Sequence, residues 1–170
     1  VATNQLIFRA LHGLPHADAY GVLSLDGELQ SGKSYLLVCN HQSWADILIL
    51  FNTFHGRVPF LRFFLKRDLI YVPIIGVVCW AMDFPFMTRK SGAADIATTR
   101  RACEVYKLDP VTVVNFLEGT RFTSAKHAAK QSPFRHLLRP KAAGLSYTLN
   151  AMGEQFAGMI DVTVVYGPTQ

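Results

Sequence analysis

The stretch Val111-Thr112-Val113-Val114-Asn115-Phe116 is β-branched and apolar on both faces. Such a run belongs inside a sheet that is covered on both sides. The run Leu36-Leu37-Val38-Cys39, entered from Tyr35 and closed by Asn40, has the same buried character. Stretches with helical spacing alternate with these strands. Ser43 opens one that runs to Phe54, with Ile47, Leu48, Leu50 and Phe51 on one side. Residues 92–108 form a second, with Arg100, Arg101, Glu104 and Lys107 toward water. Residues 141–152 form a third, with Gly153 as a stop. Residues 160–166 alternate as a last strand. Apolar strands alternating with helices predict an α/β domain with a largely parallel central sheet flanked by helices.

The remaining segments are less regular. Residues 1–33 are turn-rich, with Asp26-Gly27 and Ser31-Gly32 as turns between short strands. Residues 58–65 fit strand or helix. Residues 69–82 read as a short connection and a buried helix after Pro73. Residues 84–87 read as a short strand that Pro85 confines to an edge or an end. Residues 119–135 read as a polar loop.

With 170 residues, one domain over residues 1–170 is expected, long enough for a real core. Hydrophobic residues at 50% and charged residues at 17% exclude a disordered chain. A net charge of +5 and a pI near 9.3 point to an anionic partner: nucleic acid, phosphorylated metabolite or membrane surface. Cys39, Cys79 and Cys103 have neither disulfide nor zinc spacing, so free buried thiols in a reducing compartment are expected. The first twenty residues show no secretory signal. The uncharged residues 69–82 are too few to span a bilayer and include Pro73 and Gly76. The chain starts at Val1 rather than Met, and a piece of a longer chain is expected.

Two junctions concentrate chemistry. In Asn40-His41-Gln42-Ser43-Trp44-Ala45-Asp46 a histidine and an aspartate lie five apart where a buried strand becomes a helix. Ligands of α/β sheets bind at such carboxyl ends. A histidine there can act as a general base if a carboxylate fixes its tautomer. No other histidine of the chain has an acid five residues on. The same residues also read as a capping box, with Asp46 reaching back to the Ser43 N–H. The second junction is Asn115-Phe116-Leu117-Glu118-Gly119-Thr120-Arg121. Gly119 permits a sharp turn and close ligand approach. Glu118 and Arg121 at a strand's end are costly unless paired or used, and Arg121 can clamp a phosphate. An ordinary turn with a Glu–Arg pair fits as well. Asp83-Phe84-Pro85-Phe86-Met87-Thr88-Arg89-Lys90 is a short strand ending in two cations. Between Glu118 and Glu154 stand Arg121, Lys126, Lys130, Arg135, Arg139 and Lys141 with no acid, a basic face suited to anionic lipid or a nucleotide-bearing donor.

The sequence resembles the lysophospholipid acyltransferases, which include the 1-acylglycerol-3-phosphate acyltransferases. Their Asn-His-x4-Asp block is similar to residues 40–46, their Phe-x-x-Arg block to Phe86 and Arg89, and their Phe-x-Glu-Gly-Thr-Arg block to residues 116–121. Their last block, of Val-Pro-Val character, is similar to Val162-Thr163-Val164. The likeness covers residues 36–166. Ser43-Trp44-Ala45-Asp46 with Asp161-Val162-Thr163 is closer to the lysocardiolipin and lysophosphatidylinositol acyltransferases and their bacterial relatives. Two positions depart from the pattern: Asp83 stands where the family has Gly, and Thr163 where it has Pro.

The resemblance implies a glycerolipid acyltransferase-like fold. It implies transfer of an acyl group from acyl-CoA or acyl-carrier protein, as co-substrate, to the free hydroxyl of a lysophospholipid. The thioester is already activated, so what is needed is a base: His41, oriented by Asp46. Backbone amides or arginines would stabilise the oxyanion. Arg89 and Arg121 would hold the acceptor phosphate, Gly119 and Thr120 would shape that pocket, and Glu118 would fix Arg121. Asn40, Ser43, Phe86 and Thr163 would support the site, and residues 69–82 would wall an acyl groove or fill core. No metal or cofactor is called for, and no nucleic acid is expected, because the aromatics cluster in apolar runs. An anionic membrane surface is the expected location, on the cytoplasmic face, in a bacterial inner membrane ahead of an organelle. Two other readings stay open: a hydrolase that uses the same pair to activate water, and a non-catalytic basic binding module.

Overall fold

The computed structural model describes residues 4–10, 19–25, 28–88 and 92–166, the first two segments as backbone only. Strands β1 (Asn4–Ala10) and β2 (Ala19–Leu25) come first, then β3 (Ser34–Cys39), helix α1 (Ala45–Phe54), and the short strands β4 (Leu61–Phe63) and β5 (Leu65–Lys66). A 3-10 turn (Arg67–Tyr71), α2 (Ile75–Ala81), β6 (Phe86–Met87), α3 (Gly92–Tyr106) and β7 (Thr112–Phe116) follow. The chain continues through α4 (Ser124–Ala129), α5 (Ala142–Met152), β8 (Phe156–Val162) and β9 (Val165–Tyr166).

The central sheet has the order β4-β7-β3-β8 and is parallel at every pairing. β3 lies between β7 and β8, with Leu37 opposite Val114 on one side and Ile160 on the other. Alternation along β3 explains its apolar run. Leu37 and Cys39 face a core layer with Leu50 and Phe54 of α1 and Phe63. Leu36 and Val38 face the opposite layer with Val113, Cys103, Tyr106 and Met152, under α3 and α5. Each fully buried side chain of this kind stabilises the fold by about 1.5–3 kcal/mol. β1, β2 and β9 form a separate antiparallel sheet, and β5 pairs with β6 in parallel.

The structure bears out the α/β class and the parallel sheet, and it departs from the sequence reading locally. α1 buries Asp46, Ile49, Leu50, Thr53 and Phe54, whereas Leu48 is exposed and Ile47 and Phe51 are half-buried. Within residues 58–65, Leu61–Phe63 form β4 and Leu65 opens β5, while residues 58–60 and 64 are irregular. The polar loop contains α4, whose first turn is capped by the Thr123 hydroxyl accepting from the Lys126 N–H. Gly153 does not stop α5 with a left-handed residue; the chain runs on into a 3-10 turn, Gly153–Gln155. The last strand is two strands in two sheets, broken at Thr163 and Val164. Ser31-Gly32 does turn, while Asp26-Gly27 lies outside the described residues.

The largest departure is at residues 69–82. α2 is not buried: within it only Gly76 is, while Ile75, Val77, Val78 and Trp80 are exposed. Gly76 is buried because its backbone lies against the Ile70 carbonyl, where a Cβ would come within 2.1 Å of that oxygen. Burial therefore selects glycine here rather than the apolar side chains around it.

Candidate active site

β3 and β7 are neighbouring parallel strands, so the residues that follow them emerge at the same end of the sheet. His41 leaves β3 and Glu118 leaves β7 side by side. The His41 Nδ1 lies 2.8 Å from Asp46 Oδ2. Asp46 is fully buried, and the His41 side chain is 16% exposed. The same Asp46 oxygen accepts the N–H groups of Gln42 (2.7 Å) and Ser43 (2.9 Å). Its second oxygen accepts the Tyr166 hydroxyl. Both readings of the spacing are thus realised in one carboxylate: Asp46 closes the start of α1 and also grips the histidine. The Ser43 hydroxyl is occupied locally, accepting from the Ala45 N–H at 3.3 Å.

Burial disfavours an ionised carboxyl, but the bonds from His41, Tyr166 and the two backbone N–H groups outweigh it and hold the Asp46 pKa below its ordinary value. Asp46 is therefore an anion at neutral pH and fixes the imidazole proton on Nδ1. In the neutral ring Nε2 then carries the lone pair, and no hydrogen bond among the described residues engages it. Phe116 supplies the floor: its ring stacks on His41 with centroids 4.0 Å apart and planes 17° from parallel. Burial, then the Asp46 charge, pushes the Tyr166 hydroxyl pKa up, so it stays a donor.

Glu118 departs from the sequence reading. No ion pair joins it to Arg121 among the described residues. It is buried, and its two oxygens accept backbone N–H groups, His41 at 2.9 Å and Leu138 at 2.8 Å. The glutamate ties the end of β3 at His41 to the returning chain at Leu138 instead of orienting an arginine. Its two buried oxygens are satisfied by backbone donors rather than by an arginine. Gln has a single acceptor oxygen, so Glu118→Gln leaves one of these N–H groups unbonded. The expected loss is about 1–3 kcal/mol of stability. A denaturant midpoint equal to that of the unsubstituted chain would contradict this role.

The other predicted residues divide. The Asn40 carboxamide makes a two-way bridge to the Val164 backbone, donating to its carbonyl at 2.8 Å and accepting its N–H at 2.7 Å. This bridge pins the break between β8 and β9. Thr163 itself is exposed, and its neighbour Val164 makes the contact. Gly119 has φ +64°, so the turn favours glycine; a Cβ there would meet the flexible Lys141 side chain at 3.0 Å. The Thr120 hydroxyl accepts from Lys126 Nζ at 3.0 Å. Arg121 is exposed on the same turn. Phe86 is half-buried against the core. Arg89 lies outside the described residues. Tyr166, Phe116 and Val164 complete the site without having been singled out for these roles.

The thiol nearest the site is no nucleophile. Burial, with the Asp46 charge adding to it, pushes the Cys39 pKa up to about 12. Two open depressions, one along residues 29–32 and 56–57 and one at the starts of β3, β7 and β8, lie away from His41.

The structure thus combines a parallel α/β sheet with a histidine–aspartate pair at its carboxyl end. The sequence model of the acyltransferase family matches residues 23–167, and the chain belongs to that family, with the lysophospholipid acyltransferases. It is 31% identical over 104 residues to the 1-acyl-sn-glycerol-3-phosphate acyltransferase alpha of Homo sapiens, covering 61% of this chain and 34% of that protein. To the 2-acyl-1-lysophosphatidylinositol acyltransferase of Saccharomyces cerevisiae it is 26% identical over 175 residues, 76% of this chain and 44% of that protein. To the 1-acyl-sn-glycerol-3-phosphate acyltransferase 2 of Arabidopsis thaliana it is 29% identical over 153 residues, 81% of this chain and 39% of that protein. The chain thus spans less than half the length of each of these relatives. No solved structure matches.

Proposed function

We propose that this chain carries the acyl-transfer site of a lysophospholipid acyltransferase, with His41 as general base. The observation that carries the proposal is the 2.8 Å contact of His41 Nδ1 with the buried Asp46, which leaves Nε2 as a proton acceptor at the carboxyl end of the sheet. Nε2 takes the proton of the acceptor hydroxyl as its oxygen attacks the thioester carbonyl. The tetrahedral intermediate then expels the thiolate, and the imidazolium returns the proton to that sulfur. Asp46 stabilises the imidazolium without taking its proton. The carbon–oxygen bond forms, the carbon–sulfur bond breaks, and no acyl-enzyme is required. The donor is acyl-CoA or acyl-carrier protein, and the acceptor is a lysophospholipid such as lysophosphatidic acid. The relatives' names support this substrate class.

Arg121, on the turn held by Glu118, Gly119 and Thr120, holds the acceptor phosphate, with Arg89 as its partner. The transfer needs no metal or cofactor. The lipid acceptor and the basic face support a site at an anionic membrane surface, and free thiols suit the cytoplasmic face. No helix among the described residues is long and apolar enough to cross a membrane. The three relatives named above come from eukaryotes and give a bacterial membrane no support.

Labelled acyl-CoA offered with a panel of lysophospholipids tests the substrate class through the lipid products. Arg121→Lys keeps the charge but loses the planar fork, so it should raise the acceptor KM by roughly tenfold and leave the donor KM nearly unchanged. Equal effects on both substrates would refute the assignment to the acceptor.

A further inference from the structure

Residues 69–82 carry no charge, and in a water-soluble fold that stretch should be covered. Here Tyr71 is 77% exposed, Ile74 78%, Val77 65% and Trp80 68%. α2 has no polar face to explain this, since every side chain it bears is apolar. Nor is the segment a frayed end. Leu69, Cys79 and Met82 anchor it to the core, the Phe84 N–H donates to the Cys79 carbonyl at 3.0 Å, and the Arg62 guanidinium donates to the Met82 carbonyl. β5 and β6 clamp its two ends together. It is a preformed apolar knob.

Its position gives it a partner. β5 follows β4 after one residue, so the knob lies beyond the carboxyl end of β4, the end of the sheet where His41 leaves β3. Trp44 (59% exposed) and Leu48, one helical turn apart at the start of α1, are also exposed and apolar, and they follow His41 in the chain. Cations share this end. Arg67 is exposed at the base of the knob, beside the Lys66–Asp68 ion pair. The exposed Arg121, Lys130, Arg135, Arg139 and Lys141 lie on the chain that leaves β7 at Glu118 and returns where the Lys141 N–H bonds the Leu117 carbonyl at 2.7 Å.

From this we infer that residues 69–82 insert into the interface of an anionic bilayer. Ile74, Ile75, Val77 and Val78 enter the hydrocarbon, Tyr71 and Trp80 sit at headgroup depth, and the cations rest on anionic headgroups. The insertion turns the carboxyl end of the sheet, with His41, toward the lipid. It rests on the lipid-substrate reading above, which supplies the bilayer as partner. Charge complementarity favours this occupant over a second copy of the chain, whose equally basic end would be repelled.

Fluorescence tests it. Trp44→Phe leaves Trp80 as the single tryptophan. Added to vesicles of phosphatidylcholine with phosphatidylglycerol, this chain should show a blue-shifted Trp80 emission that brominated acyl chains quench. The effect should weaken on phosphatidylcholine alone and as salt rises from 0.1 to 1 M, where the Debye length falls from ~10 to ~3 Å. Ile74→Asp with Val77→Asp should weaken vesicle binding by at least about tenfold, because aspartate is disfavoured in hydrocarbon. Its denaturant midpoint should match that of the unsubstituted chain, because both side chains are exposed. Unshifted, unquenched Trp80 emission overturns the inference, and so does concentration-dependent shielding of Trp80 in the absence of vesicles, which would assign the knob to self-association. Quenching is read without turnover, so quenching in a chain that transfers no acyl group supports insertion and counts against the catalytic reading alone.

Discussion

His41→Ala is expected to lower acyl transfer by at least roughly 10²–10⁴-fold while the protein stays folded. In the proposed mechanism the loss comes from removing Nε2, the proton acceptor. The fold survives because Asp46 keeps its donors from Gln42, Ser43 and Tyr166; the lost stacking on Phe116 is worth about 0.5–1.5 kcal/mol and the lost bond to Asp46 about 1–3 kcal/mol. If the ring were only a satisfied structural histidine, the alanine variant would lose a little stability and no activity. Near-normal turnover in a folded His41→Ala protein would sink the mechanism.

Asp46→Asn separates the two tasks that the structure gives this carboxylate. Asparagine caps helices about as well as aspartate, so the Gln42 and Ser43 N–H groups keep an acceptor. What disappears is the negative charge that fixes the Nδ1 proton and stabilises the imidazolium. Turnover should fall by roughly 10²–10⁴-fold, close to the His41→Ala level, with stability reduced by only about 1–3 kcal/mol. That stability difference has a defined pH dependence. The Asp46 pKa is depressed in the folded protein, so its contribution is full above the ordinary carboxylate value and is lost as pH falls through the depressed folded value. Unfolding midpoints of the two proteins should therefore diverge at neutral pH and converge in acid. Retained activity in the asparagine variant would reduce Asp46 to a cap.

The parallel sheet was legible because β3 and β7 must satisfy two core faces at once, which forces short, uninterrupted apolar runs such as Leu36-Leu37-Val38-Cys39. The His41–Asp46 pair was legible for a related reason: a strand-to-helix junction brings residues five apart into contact with no help from the rest of the fold. What failed depended on distant partners. Alternation reads straight through Thr163 and Val164, and nothing local signals that Asn40, 124 residues away, breaks the strand by gripping the Val164 backbone. Glu118 was assigned to Arg121 because charge suggests charge, yet its partners are backbone N–H groups, which every non-proline residue carries. The Tyr166 bond to Asp46 spans 120 residues and has no sequence spacing to announce it. Residues 69–82 failed differently. Hydropathy measures what a segment would bury, not whether the fold supplies something to bury it against.

The central claim is that this site delivers an acyl group to a lipid hydroxyl through His41. Its most direct test is the fate of the labelled acyl chain when the purified protein meets acyl-CoA with and without lysophosphatidic acid. The account predicts label in the diacylated lipid, little free fatty acid when the acceptor is absent, and loss of the lipid product in His41→Ala. Free fatty acid released at the same rate without acceptor would make the protein a hydrolase and contradict the account.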